Sequence, residues 1–156
     1  MRTPMSSATS AVPVMSQLME PMSNWRAIIG LMRAPGSGAG SVTLTTGLND
    51  GSGSLAGLIQ DGAGTLSLVK AGAGGLVLTG ANTYTGATTV SGGALNVASG
   101  GSIASSATTV SGGATLDVSG AAGAITNSGT TLVRSGGTSG ALTVNGGTAM
   151  VNGTAG

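Results

Sequence analysis

The side chains that could do chemistry in this sequence are few. Its acids are Glu20, Asp50, Asp61 and Asp117, and it has neither His nor Cys. General acid–base catalysis, including glycosidic bond cleavage by a carboxylate pair, needs two or more such groups on one small patch. No two of these four are neighbours along the chain. Without His or Cys there is no Ser-His or Cys-His nucleophile, no disulfide and no thiolate metal site. The stretches Gly36-Ser37-Gly38-Ala39-Gly40 and Asp50-Gly51-Ser52-Gly53 are glycine-rich. Neither carries the Lys-Ser/Thr of a phosphate loop or its strand-loop-helix frame. Calcium-binding nonapeptides need Asp in a recurring Gly-Gly-Xaa-Gly-Xaa-Asp frame, and that frame is absent. The residues therefore predict no enzyme, no catalytic or metal site and no small-molecule cofactor.

Hydroxyls are abundant instead. Thr88/Thr89, Thr108/Thr109 and Thr130/Thr131 recur at about twenty-residue intervals and are expected to stack. Flat threonine arrays that order water or ice hold two Thr one residue apart, both outward. Here the two are adjacent, so alternation along a strand turns one of each pair inward, and ice binding is not favoured. Tyr84 is the one tyrosine, and among small neighbours it reads as a packing anchor rather than an exposed contact.

Short β-type runs separated by glycine corners must position these groups. Leu76-Val77-Leu78-Thr79, Thr88-Thr89-Val90-Ser91 and Ala94-Leu95-Asn96-Val97 are too short for helices and rich in β-branched residues. Thr88-Thr89-Val90-Ser91-Gly92-Gly93-Ala94 returns as Thr108-Thr109-Val110-Ser111-Gly112-Gly113-Ala114. Beside these run Leu95-Asn96-Val97, Leu116-Asp117-Val118 and Leu142-Thr143-Val144, triplets whose ends face in and whose centre faces out. They are expected to form one column, aligning Asp117 with Asn96 and Thr143, and Ile103 and Ile125 a further inward column. Val42-Thr43-Leu44-Thr45 is the expected first strand. Periods near twenty residues with three inward columns predict an all-β right-handed parallel β-helix, a β-solenoid with three short strands per rung. Five to six rungs would make a rod about 25 to 30 Å long. A rung cannot bury its own faces, so the edge at Val144 to Val151 is expected to be open to another chain.

Composition agrees. The 156 residues include 31 Gly, no Phe, one Trp and one Tyr, so a globular aromatic core is excluded. Charged residues are 6% and the net charge is +1, which argues against nucleic acid or an anionic membrane as partner. Residues 1–35 differ sharply. They hold all four prolines, six of the seven methionines and only Gly30 among the glycines. We divide the chain into an N-terminal leader or cap, residues 1–35, and a β-helix, residues 36–156. Trp25, Ile28, Ile29 and Met32 fall at helical spacing, with Pro35 beyond them, so the first segment is irregular or a short helix covering the first rung. Pro13, Gln17 and Glu20 interrupt its apolar residues, and no export leader or membrane-spanning run is read.

The stretch from Lys70 to Val97 carries a resemblance. Gly72-Ala73-Gly74 with Leu76-Val77-Leu78, then Gly80-Ala81-Asn82-Thr83-Tyr84-Thr85-Gly86, then Thr88-Thr89-Val90 and Gly93-Ala94-Leu95 closely resemble the autotransporter-associated β-strand repeat. It is also called the passenger-associated transport repeat, and occurs in the passengers of bacterial type V autotransporters. Gly75 and Ala87 stand where Thr and Gly are more usual. The resemblance implies the motif residues Gly72, Gly74, Leu76, Leu78, Gly80, Asn82, Thr83, Tyr84, Thr85, Gly86, Thr88, Thr89, Val90, Gly93 and Leu95. It implies a non-catalytic stalk serving secretion and display at the cell surface or outside the cell, with further rungs and a C-terminal β-barrel in full-length relatives. A surface adhesion or self-association module is the alternative, and a carbohydrate-active β-helix a third reading.

Overall fold

A computed structural model of the chain describes residues 32–33 and 40–156. Glycine and small polar residues break the sequence into strands of two to five residues, and every pairing between them is parallel. After β1 (Met32–Arg33) the first rung consists of β2 (Val42–Thr46), β3 (Gly53–Leu55) and β4 (Ile59–Gln60). The second has β5 (Leu66–Lys70), β6 (Gly75–Leu78) and a single bridge from Ala81 to Ser102. The third is β7 (Thr88–Val90), β8 (Ala94–Val97) and β9 (Ser102–Ile103), the fourth β10 (Thr108–Val110), β11 (Thr115–Val118) and β12 (Ala121–Ala122). The fifth is β13 (Ile125–Asn127), β14 (Thr130–Val133) and β15 (Thr138–Ser139), the sixth β16 (Leu142–Val144), β17 (Thr148–Val151) and β18 (Thr154–Ala155).

Like strands stack. The first sheet runs β2-β5-β7-β10-β13-β16, the second β3-β6-β8-β11-β14-β17 and the third β9-β12-β15-β18, with β1 paired to β4 at the start of that third face. The chain is thus an all-β parallel solenoid of about five turns, ~24 Å from first strand to last at the inter-strand spacing. No helix occurs among the described residues.

Alternation decides what lies inside. Leu76 stacks on Leu95 and Leu116, and Leu78 on Val97 and Val118, all of them buried. Val90 and Val110 stack likewise in the first sheet. Ile103 and Ala122 line the third. The apolar-polar-apolar triplets at Leu95 and Leu116 place their ends inward as expected, and one member of each Thr pair (Thr88, Thr108, Thr131) is buried.

Three column assignments are corrected. Asp117 lies between Asn96 and Leu132, not beside Thr143. Leu142-Thr143-Val144 stacks on Ile125-Thr126-Asn127 in the first sheet, and Ile125 stacks on Thr108, so Ile103 and Ile125 belong to different faces. Thr130 pairs with Thr115 in the second sheet and does not continue the Thr88 and Thr108 column. One physical cause underlies all three. Val42 meets Leu66 after 24 residues and Thr88 meets Thr108 after 20, but Thr108 meets Ile125 and Ile125 meets Leu142 after only 17. Shorter corners advance the later strands by part of a rung, so a fixed period misplaces them. Of the expected N-terminal helix, Met32 lies instead in extended β1, and Trp25, Ile28 and Ile29 fall outside the described residues.

Candidate functional site

The corner between the third and first sheets, Gly80 to Ala87, has no regular strand beyond the Ala81 bridge, and side chains supplement its few backbone bonds. Asn82 is buried. Its amide oxygen accepts the Ile59 N–H of the rung below at 2.9 Å, and its Nδ2 donates to Gly80 O at 3.1 Å. Thr83 is exposed, and its N–H donates to Ile59 O at 2.9 Å. Thr85 reaches the same lower rung: its N–H and hydroxyl both donate to Asp61 Oδ2, at 3.0 and 2.6 Å, while Asp61 Oδ1 accepts the Leu66 N–H at 2.7 Å. Burial raises the Asp61 carboxyl, but the Thr85 hydroxyl and the two backbone donors outweigh it and hold the group below its ordinary value.

Tyr84 points the other way. It is 1% exposed, and its hydroxyl lies 2.6 Å from Thr88 Oγ1, which lies 2.8 Å from Ser106 Oγ. Ser106 donates to Gly86 O at 2.7 Å. A hydroxyl has one proton, so this last bond sets the direction of the chain: Tyr84 donates to Thr88, Thr88 to Ser106, Ser106 to Gly86. Burial pushes the Tyr84 phenol above its ordinary value, against the opposing Thr88 and Ser106 hydroxyls, and keeps it a donor.

A second set of bonds closes the corner between the first and second sheets. Asp50 Oδ1 accepts the Ala73 N–H at 2.6 Å and Ser52 Oγ accepts the Gly75 N–H at 2.9 Å, joining rungs one and two. Lys70 is fully buried at an inward position between Thr46 and Val90. Its ammonium donates to Ala71 O, to Gly72 O at 3.0 Å and to Gly92 O of the third rung at 3.3 Å. Burial draws that ammonium below the ordinary lysine value, and the Asp50 charge opposes the fall.

The remaining motif residues frame these corners. Leu76, Leu78, Val90 and Leu95 are core, Thr88 is buried and Thr89 faces outward, half-buried. Gly72 and Gly93 turn at φ +64° and +59°, a conformation that costs an L side chain. At Gly74, Gly80 and Gly86 a methyl group would run into the Asp50, Gly57 and Leu66 carbonyl oxygens of the rung below.

The acids named as chemical candidates are scattered and occupied. Asp50 and Asp61 sit at different corners of the first rung. Asp117 is on the outer face of β11, gripped by exposed Arg134 at 2.8 and 2.6 Å. Glu20 lies outside the described residues. A surface hollow of about 280 Å³ lined by Gly40, Ser41 and residues 61–65 contains one ionisable group, Asp61, whose oxygens already accept three bonds. No group of three or more His, Cys, Asp or Glu that could hold a metal occurs among the described residues.

One pattern emerges only from the register. Thr45, Val69, Thr89, Thr109, Thr126 and Thr143 stand in one outward column of the first sheet, flanked by exposed Ala87, Ala107, Ala124 and Ala141. Sequence reading also missed Asp61, Lys70 and Ser106 as corner residues. A charged residue in a chain with so few was the available signal for the first two; Ser106 is one serine among many and gave none.

Residues 68–97 match the family model of the passenger-associated-transport-repeat. The adhesin BmaC autotransporter of Brucella suis biovar 1 (strain 1330) is 56% identical over 39 residues, which are 25% of this chain and 1% of that protein. The matched stretch thus spans a very small part of the curated relative. No solved structure matches the chain. The two corners thus fasten residues 68–97, the stretch similar to the passenger-associated transport repeat, to the rung before it.

Proposed function

We propose that the chain serves as a structural, non-catalytic β-helix stalk within an autotransporter passenger, carried to the cell surface or beyond it. The observation that carries this reading is the use made of the polar groups in and beside the repeat. Asn82, Tyr84, Thr85, Asp61 and Lys70 all bond to backbone or side chains of their own or neighbouring rungs, as a load-transmitting rod requires. Further rungs above β16 to β18 and a C-terminal β-barrel belong to the same reading, supported by the autotransporter relative and by the exposure of Val144, Met150 and Val151 at that edge. So does the division of the chain at residues 35 and 36, which rests on the break in composition. To test it, the chain is placed between an export leader and an outer-membrane β-barrel in a bacterial host. Cleavage by external protease and labelling of intact cells should find residues 40–156 folded outside. Retention of the solenoid in the periplasm, with a control passenger exported normally, refutes the stalk.

The second reading, a surface adhesion or self-association module, is favoured by the uncharged threonine column of the first sheet. From Thr89 to Thr143 the face presents a hydroxyl every ~4.8 Å, which suits hydroxyl-rich or extended partners. Immobilised matrix proteins and glycans, probed with the wild type and with Thr109→Tyr and Thr126→Tyr, separate it from the first. Equal binding, or none, by all three chains removes this face as the contact.

A further inference from the structure

We propose that the solenoid is built from two cooperative blocks with their junction at Ala107/Thr108, and that the first, rungs one to three, closes and opens as a unit that outlasts the second. The argument begins with the bonds between rungs. The ladders of the first two sheets run the whole length, and that of the third is interrupted only at rung two, where Asn82 and Thr85 bond to the rung below, so no backbone ladder weakens at Ala107/Thr108. Side chains distinguish that junction. Rungs one and two are tied by Asn82 to Ile59, Thr85 to Asp61, Asp50 to Ala73 and Ser52 to Gly75. Rungs two and three are tied by Lys70 to Gly92, Ser91 to Lys70 O and Ser106 to Gly86. Between rungs three and four no side-chain hydrogen bond is present among the described residues. Further on there is the exposed Asp117–Arg134 pair, weak in water, and Asn127 to Thr148 O.

The interior changes at the same place. Thr88 completes the Tyr84 chain, whereas Thr108, stacked directly on it, has a buried hydroxyl with no partner. The Leu76-Leu95-Leu116 column continues as Thr131 and Ala149, and Ile103 continues as Ala122 and then Ser139. Thr131 and Ser139 also have unpartnered hydroxyls, against Thr46 alone in the first three rungs. Each step removes apolar contact from the stack. The residue interval of the first sheet falls from 20 to 17 here as well. Bonds and period thus change at one junction, and the core begins to thin there, at Thr108 and Ala122, and thins further one rung on, at Asn127 and Thr131. The edge of β7, β8 and β9 then offers a finished template on which later rungs add by pairing. This division belongs to the solenoid itself and stands or falls apart from the stalk reading.

Native-state hydrogen exchange of the full chain in rising denaturant tests it. The interior rungs, two and three against four and five, are compared so that end fraying does not enter. Amides of Leu68 to Val97 should open together and at least roughly tenfold more slowly than those of Val110 to Val133, a difference of the size that one or two hydrogen bonds give. A single opening event shared across Ala107/Thr108, or rungs four and five outlasting two and three, overturns the proposal. Asp61→Asn should speed exchange in rungs one to three and leave rungs four and five within about twofold; equal acceleration of both overturns it. If Asp61→Asn does not fold, Thr85→Ala, which keeps the Asp61 to Leu66 bond, puts the same question.

Discussion

Thr88 and Thr108 are the same residue, stacked directly on one another, both buried, and they are expected to answer the same substitution with opposite signs. Valine has nearly the shape of threonine, so Thr→Val removes a hydroxyl while filling the space. At residue 88 that hydroxyl accepts from Tyr84 and donates to Ser106. Its loss strands the phenol of a side chain 1% exposed, and a buried unpaired donor costs about 1 to 3 kcal/mol. At residue 108 the hydroxyl has no partner, so removing it should stabilise by about 1 to 2 kcal/mol. The two variants should therefore lie about 2 to 5 kcal/mol apart. With a urea slope of about 1 to 3 kcal/mol per molar, their unfolding midpoints differ by about 0.7 M or more on opposite sides of wild type, when the transition of the substituted block is followed by circular dichroism. If both variants move in the same direction, or Thr108→Val destabilises as much as Thr88→Val, the hydroxyl chain is not what distinguishes the repeat rung from the next.

The same structure makes three further predictions. Gly86→Ala brings a methyl group against the Leu66 carbonyl of the rung below and should destabilise by about 2 kcal/mol or more, read as a lowered urea midpoint. Lys70→Met keeps the aliphatic stem but leaves the Gly72 and Gly92 carbonyls without their donor, for a loss of about 1 to 3 kcal/mol; a neutral outcome in the same titration would deny the ammonium a structural role. Because the folded-state pKa of Asp61 is lowered, its contribution is fully present above the unfolded carboxylate value of about 4 and is lost as pH falls through the folded one. Midpoints taken from pH 7 to pH 2 should show Asp61→Asn less stable than wild type near neutrality and converging with it in acid, and a constant gap at every pH would contradict the assignment.

Alternation, glycine spacing and the twenty-residue echo from Thr88 to Thr108 were enough to read the solenoid, its three strands per rung and the burial of one member of each Thr pair. These are local properties: which side of a strand a residue faces follows from its parity, and where a strand ends follows from glycine. The repeat between Gly72 and Leu95 was legible because its wording is continuous in sequence. The corner partners were not. Asp61 meets Thr85 across 24 positions and Lys70 meets Gly92 across 22, and those offsets depend on how many residues each corner takes.

By itself the sequence determined what kind of object this is: small and β-branched residues in short alternating runs, with too few aromatics for a globular core, stack as parallel coils. Tertiary structure alone decided the register. Once the rungs shorten from 20 residues to 17 after Thr108, a fixed period no longer says which face Ile125, Thr131 or Leu142 belongs to. Only the stacked backbone shows that five threonines share one outward column and that a single tyrosine, through two hydroxyls, ties one coil to the next. The reason is that strand facing is set by nearest neighbours in the chain, whereas register is set by loop length summed over a whole turn.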